Sequence, residues 1–551
     1  MRMKPHRRCA LLVTLTLTSI ACSGSSSNDL PNDDSGASDG GLHVDGSFDA
    51  GDPDGGFRGD VRTCDDAIKA KSYVGCEYWP TVVANSVWSI FDFAVIVANA
   101  GGDPADVTVT GPGGVNKSAH VEPGELAKIY LPWVPALKGP DSDVCGNIVP
   151  ITASVKVAKS AYHLVSTRPV TVYQFNALEY KPAGGPTGKD WSTCPGTHPP
   201  AECGPEDCFS YSNDASLLLP TSAMTGDYRV TGIHGWSRTT GKAVVGAYFA
   251  VTGTKDGTTV KVKVSSKGSV VAGGSEIAAT GPGGILTFTL DAGDVAQILG
   301  APSADSDLSG SLVQASNPVQ VISGAPCIEN PIGTKACDHV EESNFPAQTL
   351  GKHYLVTTPT GPDAAIVGHV VRLYGNVDGT KLTYGGKTPS GAPTTIDGGQ
   401  VVDLGVVKDD FEVTGDQAFA VGSFMLAGDT VDPAAQRGDP SQSLTTAVEQ
   451  YRRRYIFLAP DDYQESYADI VSPAGALVSL DGAPLTIAPT AIASGFSVYR
   501  VKLGAGKSGA HELTSNLPVG LQVLGYGQYT SYQYPGGLNL ESIAPAPPPI
   551  K

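Results

Sequence analysis

Asn317-Pro318-Val319-Gln320-Val321 returns along the chain as Arg168-Pro169-Val170-Thr171-Val172 and Leu517-Pro518-Val519-Gly520-Leu521, with Gln417-Ala418-Phe419-Ala420-Val421 as a degenerate copy. The second residues of these copies are spaced 149, 100 and 100 apart, which implies four units of which the first is enlarged. An opening mark recurs as well. Tyr228, Tyr354 and Tyr455 each start a strand, the first two eight residues after Pro220 and Pro346. Between the marks, Asp256-Gly257-Thr258 precedes the alternating run Val260 to Val264, Asp378-Gly379-Thr380 precedes Lys381 to Tyr384, and Asp106 precedes Val107 to Val109. Alternation of this kind gives a strand with one buried and one wet face. Gly124, Gly293 and Gly399 mark a later turn, where glycine permits positive φ. Six to seven short strands in roughly 100 residues is the size of an immunoglobulin-like sandwich, whereas a propeller blade needs about 40 to 45. The fold expected is therefore all-β, with about four tandem β-sandwich repeats. Composition agrees: of 551 residues 67 are Gly and 41 Pro, and only 17% are charged, which suits short strands joined by tight turns.

The extra length falls in Trp133 to Pro150, Leu178 to Cys208 and Ile328 to Phe345, loop-rich stretches without apolar periodicity. The sandwiches are expected at 61–177, 228–325, 354–425 and 455–541. Between and after them come a Cys-rich insert at 178–227, a Cys-containing connector at 326–353, a connector at 426–454 with a short helix over Thr446 to Arg454, and a Pro-rich tail at 542–551.

The first 21 residues carry Arg2, Lys4, Arg7 and Arg8, then the apolar run Ala10 to Leu17, then Thr18-Ser19-Ile20-Ala21-Cys22. This order is a secretory signal, too short to span as a permanent helix. It resembles a bacterial lipoprotein signal, which implies a diacylglyceryl thioether on Cys22 and, with Ser23 following, sorting to the outer membrane; an ordinary cleaved signal is the alternative. Residues 23–60 hold nine Asp and one Arg with almost nothing apolar, a self-repelling spacer. Their Asp-x-Asp-Gly texture lacks the twelve-residue loop of a specific calcium site.

Of ten cysteines, Cys9 leaves with the signal and Cys22 is the lipidation candidate. The remaining eight in an exported chain read as disulfides. Cys64 with Cys76 and Cys327 with Cys337 are close in sequence and isolated, so they are expected to pair. Cys145, Cys194, Cys203 and Cys208 supply two more bridges in an order that spacing leaves open. No Cys-x-x-Cys pair supports zinc.

Tyr73-Val-Gly-Cys76-Glu-Tyr-Trp79, Phe91 to Asn99, Pro169-Val-Thr-Val-Tyr-Gln-Phe-Asn176, Asn213-Asp-Ala-Ser-Leu-Leu-Leu-Pro220 and Ala336-Cys-Asp-His339 with Glu341-Glu342 resemble the IgGFc-binding protein N-terminal domain family. Asp439-Pro-Ser441, Glu449-Gln-Tyr451, Tyr455-Ile-Phe457 and Tyr532-Gln-Tyr-Pro-Gly-Gly-Leu538 resemble long bacterial lipoprotein members. The resemblance implies a secreted or surface-displayed all-β module with no catalytic residues to carry over.

A net charge of -18 argues against a nucleic-acid partner or electrostatic attachment to anionic lipid. There is no His-Glu-x-x-His, no Gly-x-Ser-x-Gly and no P-loop spacing, and no cofactor is implied. The expected function is binding or adhesion at the cell surface, to an extracellular protein or glycan, with the membrane reached by the lipid anchor alone. The alternative is a secreted carbohydrate-active hydrolase whose carboxylate pair comes from distant loops. The expected contacts lie on the disulfide-stapled inserts: Trp191 and Tyr211, with Asp338, His339, Glu341 and Glu342. The acidic group beside Cys337 admits a metal reading, but a turn-capping Asp338 with solvated neighbours is preferred. Tyr526, Tyr529, Tyr532 and Tyr534 could stack on sugars, though strand context favours packing.

Overall fold

The repeat marks turn out to be points where the chain crosses between two sheets. The computed structural model describes residues 61–99, 101–203, 207–237, 244–334, 337–504, 506 and 509–551, all within the unit Gly51–Lys551. The signal, Cys22 and the Asp-rich spacer lie outside the described residues. No helix among those described is long and apolar enough to cross a membrane.

Each repeat contributes four strands to one antiparallel sheet. In the first these are β1 (Phe93–Ala98), β2 (Leu126–Leu131), β3 (His163–Asn176) and β4 (Asp214–Leu217), and in the second β5 (Tyr248–Gly253), β6 (Val295–Leu299), β7 (Val319–Ile328) and β8 (Asp338–Ser343). The third has β9 (His369–Gly375), β10 (Val401–Val407), β11 (Phe419–Met425) and β12 (Gln442–Leu444), and the fourth β13 (Glu465–Pro473), β14 (Phe496–Lys502), β15 (Ala510–Gly527) and β16 (Thr530–Pro535). The spatial order is the same in all four: fourth strand, third, first, second. The fourth strands β4, β8, β12 and β16 each touch the next, and β16 returns to β4. The result is a four-bladed, propeller-like arrangement around a shared axis.

A second, smaller sheet belongs to each repeat. In the second it comprises Asp227–Arg229, Thr258–Lys263, Ile285–Leu290 and Leu312–Ala315. Val260, Val262, Phe288 and Val313 of that sheet share one core with Phe249, Val251, Ile298 and Val321 of the blade. The two sheets read differently for a physical reason. Thr258–Lys263 alternates buried and exposed, whereas Phe93–Ala98 and Tyr248–Gly253 are buried throughout, because a blade has its own second sheet on one face and neighbouring blades on the other.

This corrects the sequence expectation. The chain is all-β with two sheets per repeat, but the repeats close on one another instead of following as separate immunoglobulin-like sandwiches. The repeat exceeds a propeller blade in length because it contains a blade and a second sheet. The Cys-rich insert 178–227 and the connectors 326–353 and 426–454 carry the axial strands β4, β8 and β12. The helix expected over Thr446 to Arg454 is a single 3-10 turn, Val448–Gln450, since Arg452 already begins the strand Arg452–Leu458.

At each crossover the chain leaves the second sheet for the blade. In the first and fourth repeats one long strand, β3 or β15, serves both sheets; in the second and third the path is split, with Pro318 before β7 and Ala418 before β11. Proline suits a point where a ladder hydrogen bond is given up. The opening tyrosines fasten this point. Tyr228 donates its hydroxyl proton to the carbonyl of Val319 (2.7 Å), Tyr354 to Phe419 (2.5 Å) and Tyr455 to Val519. Tyr78, which carries no obvious opening mark in the sequence, does the same to Val170 (2.6 Å). The amides of Thr225, Gly351 and Arg452 donate to the hydroxyls of the tyrosines three residues on. Tyr354→Phe leaves the Phe419 carbonyl and the Gly351 amide without that partner, so a loss of about 1–3 kcal/mol is expected in urea unfolding. The later turn needs its glycines, since Gly124, Gly293 and Gly399 sit at φ 71°, 82° and 84°.

The ends of the described body close the ring. Ser72 bridges Asn539, with Tyr73 N donating to Leu538 O (3.2 Å) and Leu540 N to Lys71 O (2.8 Å). The helix Cys64–Ala70 before this segment is capped by Thr63 and pinned by Cys64–Cys76.

Candidate functional site

In every repeat a hairpin leads from the third strand to the axial strand, and all four hairpins open at one end of the axis. Their closing pairs are Asn176 with Asp214, Ile328 with Asp338, Phe424 with Gln442 and Gly527 with Thr530. The first three connections are long and the fourth is the two-residue turn Gln528-Tyr529. They interlock. Ala427 N donates to Asn330 O (2.8 Å), Gly438 N to Gly527 O (3.0 Å) and Tyr529 N to Gln436 O (2.8 Å), while Asn213 N donates to Asp338 Oδ1 (2.6 Å). We call this end the hairpin face.

Disulfides order the first two connections, which have little apolar material of their own. Cys194–Cys208 staples the first connection internally, Cys145–Cys203 ties it to the loop after residue 138, and Cys327–Cys337 closes the second. Three 3-10 turns, Trp191–Thr193, Pro195–Thr197 and Ala201–Cys203, shape the first. The two short-range pairs expected from spacing are present, and the pairing that spacing left open is thereby resolved.

Aromatic rings gather where the first and fourth hairpins meet. Phe209, Tyr211 and Tyr529, each half-buried, have centroids 5.5–5.8 Å apart. Tyr180 backs Phe209 and Trp88 backs Tyr211, both rings buried. Tyr211 and Tyr529 hold φ of 49° and 59°, a left-handed backbone that costs a bulky residue of order 1 kcal/mol or more and is retained where the surroundings impose it. Trp191 is half-buried as well; Lys189 Nζ lies 4.0 Å over its ring and is ion-paired to Asp92. Behind that pair, burial and the neighbouring Asp92 push Glu179 up to about 8.

Trp191 and Tyr211 thus reach the face, but the four other expected contacts do not. Asp338, His339, Glu341 and Glu342 are at most 1% exposed, because the chain after Cys337 is the axial strand β8 and not a solvated loop. Asp338 Oδ1 accepts from Asn213 N, and Glu341 accepts from Asn176 Nδ2 (2.6 Å) and Gln174 Nε2 (3.3 Å). Glu342 Oε1 accepts from Ser343 N (2.8 Å). His339 stacks on Tyr248, its Nε2 3.6 Å from Glu341. Burial pushes Glu341 up to about 8 and Asp338 and Glu342 well above the carboxylate range, and it pushes His339 down to about 3. Tyr526, Tyr532 and Tyr534 are core residues; of that stretch only Tyr529 faces outward.

Sequence reasoning missed Asp214. Asp214, at the start of β4, receives four hydrogen bonds: Oδ1 from Ala215 N (2.9 Å) and Ser441 Oγ (2.6 Å), Oδ2 from Glu341 N (3.0 Å) and Gln442 N (2.8 Å). One carboxylate therefore joins three repeats. Burial pushes its pKa up against these donors. Only the first and second hairpins return through an acidic residue at the closing pair, Asp214 and Asp338, and connections of different length separate them from their crossovers, so aligning the repeats on the crossovers carries no signal for them.

The IgGFc binding protein family model matches residues 214–525, from the first residue of β4 into β15. The chain belongs to that family. The human IgGFc-binding protein is 35% identical over 179 residues, which is 32% of this chain and 3% of that protein's length. Among solved structures, the pilus adhesin SpaC from Lactobacillus rhamnosus GG aligns with 81% of this chain and 56% of its own at 9% identity and a TM-score of 0.08. A tetra-tandem repeat from the extending region of a large adhesion protein aligns over 84% and 99% at 10% identity and 0.09. Neither likeness carries an argument at those scores. The stretches on which the family resemblance rests include Asn213 to Pro220, Cys337 to Glu342, Asp439 to Ser441 and Tyr532 to Leu538, and these build the four axial strands and their entries.

Proposed function

We propose that this chain is an exported binding protein that recognises an extracellular protein through the hairpin face. The observation that carries this is the convergence of all four hairpins, two of them braced by disulfides, on one surface where Phe209, Tyr211 and Tyr529 stand together. Repeated strands are committed to core and neighbours, whereas loops on a rigid scaffold are available for recognition. Half-buried aromatic rings on a stiff support are the usual anchors of a protein interface. Membership of a family named for binding an immunoglobulin fragment favours a protein ligand over a glycan. The reading extends to localisation: the signal and Asp-rich spacer fit display at the outer membrane, anchored by lipid on Cys22.

The test is a binding array of immunoglobulin Fc, other secreted proteins and glycans with the full chain, followed by Tyr211→Ala with Tyr529→Ala on whatever is captured. A loss of at least about 10-fold in affinity with unchanged thermal unfolding is expected. Undiminished binding would move the surface elsewhere. Palmitate labelling abolished by Cys22→Ala is the corresponding result for the anchor, and label retained in that variant would exclude it.

A further inference from the structure

One lysine and two carboxyl groups from three separate segments of the first repeat meet beside Trp191. Asp92 directly precedes β1, Glu179 follows the end of β3, and Lys189 is carried by the first connection. Lys189 Nζ is in contact with Asp92 Oδ2 and lies 3.9 Å from Glu179 Oε1. Glu179 Oε2 accepts the amide proton of Asp92 (2.9 Å), while its Oε1 is buried without a hydrogen-bond partner. The side chains of Lys189, Asp92 and Glu179 are 10%, 23% and 1% exposed. The connection passes this point at Gly185, φ 84°. A Cβ there would stand 2.9 Å from Glu179 Oε1 and 3.2 Å from Asp92 Oδ2 and would press on Lys189 Cδ, so the missing side chain is what lets the three groups close together. The Trp191 ring, 4.0 Å from Lys189 Nζ and 5.2 Å from the ring of Phe91, lines the same spot with apolar surface.

An ion pair accounts for Lys189 and Asp92 but leaves Glu179 unexplained. A third acid, buried with one oxygen unused, costs stability beside a pair that is already balanced, and its place within reach of both partners is that of a proton relay. We propose that Lys189 and Asp92 condense into an amide cross-link, with Glu179 moving the proton. Proton transfer within the ion pair gives a neutral amine and a neutral carboxyl group with no change in net charge, which a partly dry site favours. The lone pair of Lys189 Nζ then adds to Asp92 Cγ. As the Cγ–N bond forms and the bond from Cγ to the hydroxyl oxygen breaks, Glu179 gives its proton to the departing hydroxyl and takes one from the nitrogen. One amide and one water result, Glu179 is regenerated, and no co-reactant is needed. Burial and the neighbouring Asp92, which hold Glu179 at about 8, supply the proton it starts with at neutral pH. Fixing the amine against the carboxyl group replaces the encounter that makes this condensation unfavourable between free molecules in water. The product ties the first connection, already stapled by Cys194–Cys208, to the entry of β1 through a bond that reductants leave intact. It would stiffen the support of Trp191 whatever the hairpin face binds.

The full chain is reduced, denatured and weighed by intact mass spectrometry, then mapped with trypsin, beside Lys189→Arg and Glu179→Gln. The wild type is expected to fall short of its reduced mass by one water and to release the peptides holding Asp92 and Lys189 as one joined species, uncut after Lys189. Lys189→Arg keeps the positive charge without a reactive amine, so it should keep the water and yield separate peptides. Glu179→Gln should lower the joined fraction by at least about 10-fold. The wild-type measurement requires no variant to fold. Full mass and separate peptides in the wild type would overturn the cross-link. Water lost equally from Lys189→Arg would also overturn it, by placing the dehydration elsewhere, as in a succinimide. An undiminished joined fraction in Glu179→Gln would overturn the relay.

Discussion

Asp214→Ala is expected to lower stability by about 4 kcal/mol or more, the largest effect of any single substitution among the polar residues of the axis. The variant strands the amides of Ala215, Glu341 and Gln442 and the hydroxyl of Ser441 in a dry interior. Each such group left unpaired costs of order 1–3 kcal/mol, partly relieved if water enters. Asp214→Asn should cost about half as much, because one oxygen survives while the new NH2 must face at least one amide that formerly donated. The exposed pair Asp106–His120 supplies the contrast: Asp106→Ala should move urea unfolding by no more than about 0.5 kcal/mol. Similar midpoints for Asp214→Ala and Asp106→Ala would mean that the axial carboxylate does not hold the repeats together.

Stability is also expected to be greatest in weakly acidic solution and to decline towards pH 8. Burial holds Glu341 at about 8, far above its unfolded value of about 4.3. A carboxyl group raised in this way contributes stability that is fully present below the unfolded pKa and lost as pH rises through the folded one. Between roughly pH 4.5 and 8 the loss is about 1.4 kcal/mol per pH unit while the group keeps its proton only in the folded state. Groups with the opposite sign limit the acid side. Burial pushes His339 down to about 3 and His369 down to about 4, so each contributes stability that is present above the unfolded imidazole pKa of about 6.5 and lost as pH falls, offsetting part of the decline below that pH. Arg372 beside Asp307 and His163 beside Glu77 hold those carboxyls below their ordinary values, so their contribution is present above the unfolded carboxylate pKa and lost as pH falls through the folded one. Glu341→Gln mimics the protonated side chain. It should take about 1.4 kcal/mol per pH unit off the decline between pH 5 and 8 and leave the share of Glu179, Asp214, Asp338 and Glu342, which burial also raises; a decline of wild-type steepness in that variant would assign the pH dependence to those other groups.

What the sequence disclosed and what it hid have physical explanations in particular residues. The crossovers at Pro169, Pro318, Ala418 and Pro518 and the tyrosines that fasten them are local devices, so they recur in local sequence and the repeat count could be read from them. The short disulfide loops at Cys64–Cys76 and Cys327–Cys337 were legible for the same reason. Cys145–Cys203 joins two different loops, so spacing held no clue to it. Ring closure was hidden because the strands that achieve it are short and polar. Asp338-His339-Val340-Glu341-Glu342-Ser343 reads as a solvated loop and Gln442-Ser443-Leu444 falls in a connector, and both are buried because neighbouring repeats supply hydrogen bonds around the axis. Trp191 and Tyr211 were legible as candidates because they stand on lengthened connections. The acidic residues beside Cys337 were misplaced because exposure was inferred from polarity.

Whether the four repeats close into a ring can be decided by one disulfide. Ser72 and Asn539 face each other as an antiparallel bridge flanked by two backbone hydrogen bonds, the kind of pair in which Cα atoms are about 4.5 Å apart, within reach of a disulfide. Peptide mapping without reduction of the Ser72→Cys, Asn539→Cys double variant should recover the two positions in a single cross-linked peptide from the monomer. Repeats strung out in tandem would hold these residues at opposite ends of the body, and free thiols or cross-linked dimers from a folded variant would contradict the closed ring.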